Sequence, residues 1–350
     1  MRIAETPPGT PTNLLVTAVG RRVYVIEELL RAAGPHDRLF VTDMDPSAPA
    51  LHVPGSEVLP ARSVENLQEW VVRLATRHSL TAVMSLHDYE NVRLADAATA
   101  LAAQGVTFIG PGSETAKLLI DKYAQYTYLR RRLSDGLVPT YPESSWGDPR
   151  IDRAGVHGWV IKDRFGSGSS GLAFASSWPE AVQACRENKR TAGMDADMNS
   201  APMESVIQPR VAGHEYNVDV FLDRAGSISG ICVKKKMRMR NGETDAAEVL
   251  IDPPHNVTRL ATQVASLLDA TGNLDIDIIE SPSGAAFVID INPRFGGGYA
   301  FSARAGYEAA EAIWTIAANQ ELKAHLGPER QFRGSKYVDV MAWRPGARDA

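Results

Sequence analysis

Cysteine is nearly absent from this chain. Two residues, Cys185 and Cys232, in a length of 350 exclude a disulfide framework and a cysteine-based zinc cluster. Long apolar runs are missing too: no stretch reaches the ~20 residues that a membrane-spanning helix needs. The opening MRIAETPPGTPTN has no apolar signal region, so the cytoplasm is the expected compartment and no membrane partner is expected. Neither sign of charge dominates. With 37 Lys and Arg against 42 Asp and Glu, the net charge is -5, which argues against general nucleic-acid binding. The eight histidines show no metal-ligand spacing, and no Ser-His-Asp arrangement is visible. The turn AVGRR after the first strand-like run holds one glycine. The dinucleotide fingerprint needs three, so a reductase built on this region is disfavoured.

What remains is a mixed α/β pattern. Over residues 13–110, NLLVTAV, RLFVTDMD, TAVMSLH and VTFIG read as strands, with helices at RRVYVIEELLRAAG and around 90–104. Such alternation predicts a parallel sheet with helices on both faces. A second part, 136–204, carries a hairpin with Lys162, the helix WPEAVQACRENKR and an aperiodic surface loop at 191–203. A third part, from 205, has strands first and a helix around 303–320, and the tail RPGARDA reads as disordered. No internal repeat is visible. At 44% hydrophobic and 23% charged, this is the composition of a soluble enzyme of two or three domains.

The chemistry concentrates in VIDINPRFGGG, residues 288–298. A strand alternates its faces, so Asp290 and Asn292 share one face. Carboxylate and amide oxygens suit a hard cation such as Mg2+. Arg294 follows, then three glycines, including Gly297 and Gly298, that let backbone approach a ligand. Upstream, LDIDIIE puts Asp275 and Asp277 on one face. If residues 282–285 turn the chain, Asp277 lies opposite Asp290, and two opposed carboxylates need a cation between them. Asp275 is the more expected to face solvent.

Lys162 precedes the loop Gly166, Ser167, Gly168, Ser169, Ser170, Gly171. Its amides and hydroxyls suit phosphate, with a flexible hairpin tip as the equal alternative, and the order of Lys and loop is wrong for a Walker A motif. Asp121-Lys122 opens a helical stretch to 133, and 205–223 reads as two strands around Ala212-Gly213.

These strings, DK at 121–122, VIKDRFGSGSSG at 160–171, VIQPRVAGHEYNVDV at 206–220 and VIDINPRFGGGYAFSARAG at 288–306, resemble the ATP-grasp superfamily. The likeness is strongest to the branch of the carbamoyl phosphate synthetase large subunit. The order and spacing of all four agree, over most of the chain. That subunit carries two such units and this chain shows one, which argues against that enzyme. The resemblance implies a Rossmann-like parallel sheet (1–112), a helical link and lid (113–204) and a metal-bearing lobe (205–350). It implies ATP and two Mg2+ ions, with Mn2+ as a substitute. Lys122, Lys162 and a closing loop 166–171 would contact phosphates. Gln208, Arg210 and Val211 would hold adenine, and Glu215 the ribose. Asp277, Asp290 and Asn292 would bind metal, with Arg294 and Lys162 catalytic. Asp290 stands where Glu is commoner. Pro209 sits in the hinge and has no N–H to offer adenine.

Residues 231–240, ICVKKKMRMR, put Lys234, Lys236, Arg238 and Arg240 on one strand face. They form either a solvated edge strand or a cationic wall for triphosphate or substrate, with Arg238 and Arg240 as substrate-binding candidates. Glu243 would pair with them or recognise an amine. Asp88 ends a strand where a parallel sheet holds ligands, and would bind a substrate amine or cap the next helix. The implied reaction joins a small-molecule acid to an amine through an acyl phosphate. A different acceptor, bicarbonate as the acid, or a non-catalytic nucleotide-binding protein are the alternatives, and a homodimer is left open.

Overall fold

The computed structural model describes residues 11–60, 66–148, 151, 157–166, 171–192, 204–240, 242–322 and 325–343. Strands β1 (Asn13–Thr17), β2 (Arg38–Thr42), β3 (Glu57–Val58), β4 (Ala82–Ser85) and β5 (Thr107–Phe108) form a parallel sheet in the order β3-β2-β1-β4-β5. All five β1 side chains, NLLVT, are buried, as a sheet covered on both faces requires. Helices α2 (Leu67–Arg77) and α3 (Asp88–Ala102) cover one face through Val71, Leu74, Leu94 and Leu101. On the other face lies α1 (Val23–Ala32), with Val25, Ile26 and Leu29 inward.

Helices α4 (Ser113–Ile120) and α5 (Lys122–Arg130) lead to a four-stranded antiparallel sheet, β6-β9-β7-β8. Its strands are β6 (Tyr141–Pro142), β7 (Trp159–Asp163), β8 (Ala173–Ala175) and β9 (Ser205–Pro209). Helix α6 (Trp178–Ala192) packs on it around a small core of its own: Ile151, Trp159, Ile161, Cys185 and Ile207.

The third sheet is antiparallel, in the order β14-β13-β10-β11-β12-β15. It comprises β10 (His214–Leu222), β11 (Ile228–Arg240), β12 (Glu243–Leu250), β13 (Gly272–Glu280), β14 (Ala286–Asn292) and β15 (Phe332–Ser335). Helix α7 (His255–Ala265) buries Val257, Leu260, Ala261 and Val264 against it. The single helix expected around 303–320 is two: α8 (Tyr299–Arg304) and α9 (Ala309–Ala317). Gly306 breaks it at φ +92, where an added Cβ would lie 2.6 Å from Glu329 Cγ. α9 completes the second face of the parallel sheet. Trp314 Nε1 donates to Leu29 O at 2.7 Å, so first and last thirds of the chain share one core. Most of the expected surface loop, residues 193–203, and the tail from 344 lie outside the described residues.

Candidate functional site

Strand β14 is an edge of the six-stranded sheet, and its polar face looks toward the four-stranded sheet. Asp290 pairs across from Asp277 and Asn292 from Asp275, with a bulge at the β13 step from Asp277 to Ile278. Asp121 caps α5, accepting from the amides of Tyr123 and Ala124 at 3.0 and 3.1 Å. That start aims Lys122 inward: its Nζ lies 3.3 Å from Asp290 Oδ1 and donates to Gly166 O at 2.8 Å. Lys162, from β7, donates to Ile289 O at 2.9 Å. Burial pulls the Lys162 ammonium below the usual lysine range against the pull of Asp290. Burial pushes the Asp290 carboxyl up, but Lys122 and Lys162 outweigh it and hold it at about 2. Two lysines from different elements, α5 and β7, thus converge on one ionised carboxylate.

Asp277 has its own cation. Lys236 Nζ lies 2.8 Å from Asp277 Oδ2 and 2.5 Å from Glu215 Oε1. Burial opposes that charge, yet the two carboxylates raise the Lys236 pKa. Asp275 is buried rather than solvent-facing: Asn217 Nδ2 donates to it at 2.6 Å and to Asp277 at 2.8 Å. Burial, with Asp277 and Asp219 nearby, pushes Asp275 up to about 7. Beneath lies Lys234, fully buried and paired with Asp219. The glycine run fits over this floor, because a Cβ on Gly296 would meet Asp275 at 2.1 Å and one on Gly298 would meet Asn217 Oδ1 at 2.4 Å. Gly297 sits against Glu243.

Arg294 forms a buried ion pair with Asp88, Nε to Oδ1 at 2.9 Å, and Nη2 donates to Oδ2 at 2.9 Å. Burial would lower the Arg294 pKa, but Asp88 and Asp275 raise it. Asp88 is the first residue of α3 and its carboxylate neither caps that helix nor stands free for an amine. Arg238 and Arg240 are more than half exposed and both turn to Asp245, at 2.5 and 3.5 Å. Of the expected cationic face, only Lys234 and Lys236 turn inward, each onto protein carboxylates.

A narrow crevice lined by Lys122, Gln125, Tyr126, Val138, Thr140, Gln208 and Ile289 opens beside β14. Gln208 is buried and donates to Thr140 Oγ1 at 2.8 Å. Arg210 is exposed and Val211 partly so. Ser167, Gly168, Ser169 and Ser170 lie outside the described residues. Sequence reasoning missed Arg164, which clamps Asp121 at 2.6 Å and Glu204 at 2.6 Å. It also missed Asn217 and Asp219, whose alternation on β10 with Glu215 was the available signal.

Among the described residues no three carboxylate, imidazole or thiolate groups are placed to hold a metal ion by themselves. Asp277 and Asp290 oppose one another with the Asn292 amide alongside. Asn217 Oδ1, just beneath, is buried without a hydrogen-bond partner. Mg2+ takes one or two carboxylates when phosphates and water supply the rest, so the residues present fit that ion.

The sequence profile described as ATP-grasp domain matches residues 119–298, just over half the chain. The chain belongs to the ATP-grasp family. A profile described as PylC-like, N-terminal domain, matches residues 14–109 of this ATP-grasp protein. No curated protein matches it. Its fold is similar to that of Staphylococcus aureus N5-carboxyaminoimidazole synthetase complexed with ADP. There the TM-score is 0.71 at 15% identity, over 95% of this chain and 82% of that one. The Bacillus licheniformis L-amino acid ligase gives a TM-score of 0.69 at 14% identity, over 89% and 76%. The biotin carboxylase domain dimer of Hydrogenobacter thermophilus 2-oxoglutarate carboxylase, in complex with MgADP, ADP and bicarbonate, gives 0.71 at 16%, over 89% and 71%. These likenesses establish the ATP-grasp fold. No described helix is long and apolar enough to cross a membrane.

Proposed function

We propose that this ATP-grasp protein is an ATP-dependent ligase that joins a carboxylate to an amine and releases ADP and phosphate. The observation that carries the reading is the convergence of Lys122, from α5, and Lys162, from β7, on Asp290 opposite Asp277. In this reading residues 1–112 contribute to the substrate site, 113–204 form the link and lid, and 205–350 hold the metal.

A carboxylate oxygen attacks the γ-phosphorus, the bond to ADP breaks, and the amine nitrogen then attacks the acyl carbon. Phosphate leaves and the nitrogen gives up a proton. The protein's share is positioning and charge neutralisation. Lys122 and Lys162 bind the phosphates. Gln208 lines the adenine crevice, with Arg210 and Val211 next along the chain to hold adenine and Glu215 the ribose. Gly166 and Gly171 bracket the phosphate loop, and Gly297 and Gly298 offer backbone to the substrate. Asp277, Asp290 and Asn292 would hold Mg2+, which supplies charge neutralisation on the phosphates when bound. Arg294, fixed by Asp88, faces the transferred phosphoryl group.

The test is ADP release by purified protein over pairs of acids and amines, with the product identified by mass. Two of the three similar folds are carboxylating enzymes by name, which favours bicarbonate as a second reading. A product heavier than the amine by one carboxyl group distinguishes it. Light scattering decides whether the chain pairs with a second copy, as the 2-oxoglutarate carboxylase domain does.

A further inference from the structure

We propose that Arg22, on the turn between β1 and α1, is the receptor for a substrate carboxylate at the carboxyl end of the parallel sheet, beside the glycine run 296–298. The proposal rests on the ligase reading and names a substrate group and its partner.

The order β3-β2-β1-β4-β5 reverses direction between β1 and β4. In a parallel sheet the crevice beyond the carboxyl ends of such strands is where ligands bind. Arg22 follows β1 and Asp88 follows β4, so both stand at that opening. The β1 turn is held in an unusual shape. Ala18 has φ 51 and Gly20 φ 49, a left-handed conformation that costs a residue with a Cβ. It is fixed by Gly20 N donating to Asp43 Oδ2 at 2.7 Å and Arg22 N to Val19 O at 3.0 Å.

The Arg22 guanidinium has no ion pair among the described residues, and its buried Nε has no hydrogen-bond partner. The nearby carboxylates are taken: Asp88 by Arg294 at 2.9 Å and Glu243 by Lys336 at 3.2 Å. Burial, then the charge of Arg294, lowers the Arg22 pKa. Arg294 holds the Asp88 carboxylate and Arg22 is left without one, and an unpaired, half-buried cation is costly. A carboxylate bound to the Arg22 fork satisfies two parallel N–H groups at once. Tyr24, two residues on, donates to Gly296 O at 3.2 Å and ties the turn to the glycine run. Arg294 in turn donates to Asn292 Oδ1 at 3.3 Å, so the receptor adjoins the acidic strand.

The test uses the full chain with MgADP and calorimetric titration of monocarboxylates, dicarboxylates and L-amino acids, each beside its primary amide. At least one acid should bind about tenfold or more tighter than its amide. Arg22→Gln should weaken that acid about 10- to 100-fold and leave ADP affinity within about twofold. Arg22→Lys should fall between; it carries the test if the Gln variant no longer binds ADP and so has not folded. Preference of no acid over its amide, or undiminished acid binding by Arg22→Gln or Arg22→Lys, overturns the proposal. The ADP-release assay is separate: acid binding without turnover defeats the ligase reading and leaves the receptor standing. Where turnover is found, a KM increase for the acid alone assigns Arg22 to the group being activated, and one for the amine alone to a carboxylate that the amine carries.

Discussion

Lys234→Met is the most direct probe of the floor beneath the glycine run. Lys234 and Asp219 are both wholly excluded from water. Asp219 also accepts from Ser302 Oγ at 2.5 Å and Asn273 Nδ2 at 3.0 Å, and Lys234 Nζ donates to Ser302 Oγ at 2.8 Å. Removing the ammonium leaves a buried carboxylate with two neutral donors. Breaking such a pair costs about 3–5 kcal/mol. The two surviving hydrogen bonds put this case near the lower end, about 3 kcal/mol, or roughly a 150-fold loss in the folding equilibrium. That is a large share of the ~5–15 kcal/mol of a typical fold. Lys234→Met with Asp219→Asn removes both charges and should recover about 2 kcal/mol of the summed single losses. Urea unfolding of the four proteins, with unchanged slopes, measures it. A single change that costs less than about 1 kcal/mol, or strictly additive losses, would refute the reasoning.

Three further outcomes are expected. Asp290 has a folded-state pKa of about 2 against an ordinary 3.8, so its stabilisation is complete above about pH 5 and is lost as pH falls toward 2. The shift is worth about 2 kcal/mol, and Asp290→Asn should flatten that acid limb in unfolding measured from pH 5 to 2; an unchanged limb counts against the lysine pairing. Lys162→Ala should weaken ATP binding about tenfold or more by calorimetry, and equal affinity would remove Lys162 from the phosphate site. Arg238→Lys should leave both substrate KM values nearly unchanged, because Arg238 is more than half exposed and already turned to the buried Asp245, and lysine keeps that charge; a raised KM for the acid would return Arg238 to the substrate site.

The opposition of Asp277 and Asp290 was legible in the sequence because strand alternation has a fixed period and the connecting turn is short. The capped start of α5 was legible for a similar reason, since Asp121 and its helix are adjacent in the chain. Asp275 was not: a buried and a solvent-facing aspartate alternate alike, and its burial depends on Asn217, 58 residues away. The Arg294–Asp88 pair joins positions 206 apart, and no local pattern encodes it. The four cations of β11 looked equivalent because alternation says which face, not what stands opposite. Only the sheet order reveals that Glu215 and Asp219 of β10 take the inner two. The break at Gly306 was readable in principle, since a lone glycine between helical segments is a stop signal.

The shared core of α1 and α9 has a consequence for how this protein can be divided. The two profile matches, 14–109 and 119–298, both stop short of α9, yet α9 shares with α1 the covering of one face of the first sheet. Inherited segments and cooperative folding units therefore do not coincide. A fragment ending near residue 112 would lack α9 and leave open part of the apolar core that α1 and β1 share with it, a surface that favours self-association. During synthesis the first sheet must wait, half covered, until residue 317 has emerged. Its folding is complete only when the last third of the chain arrives to close it.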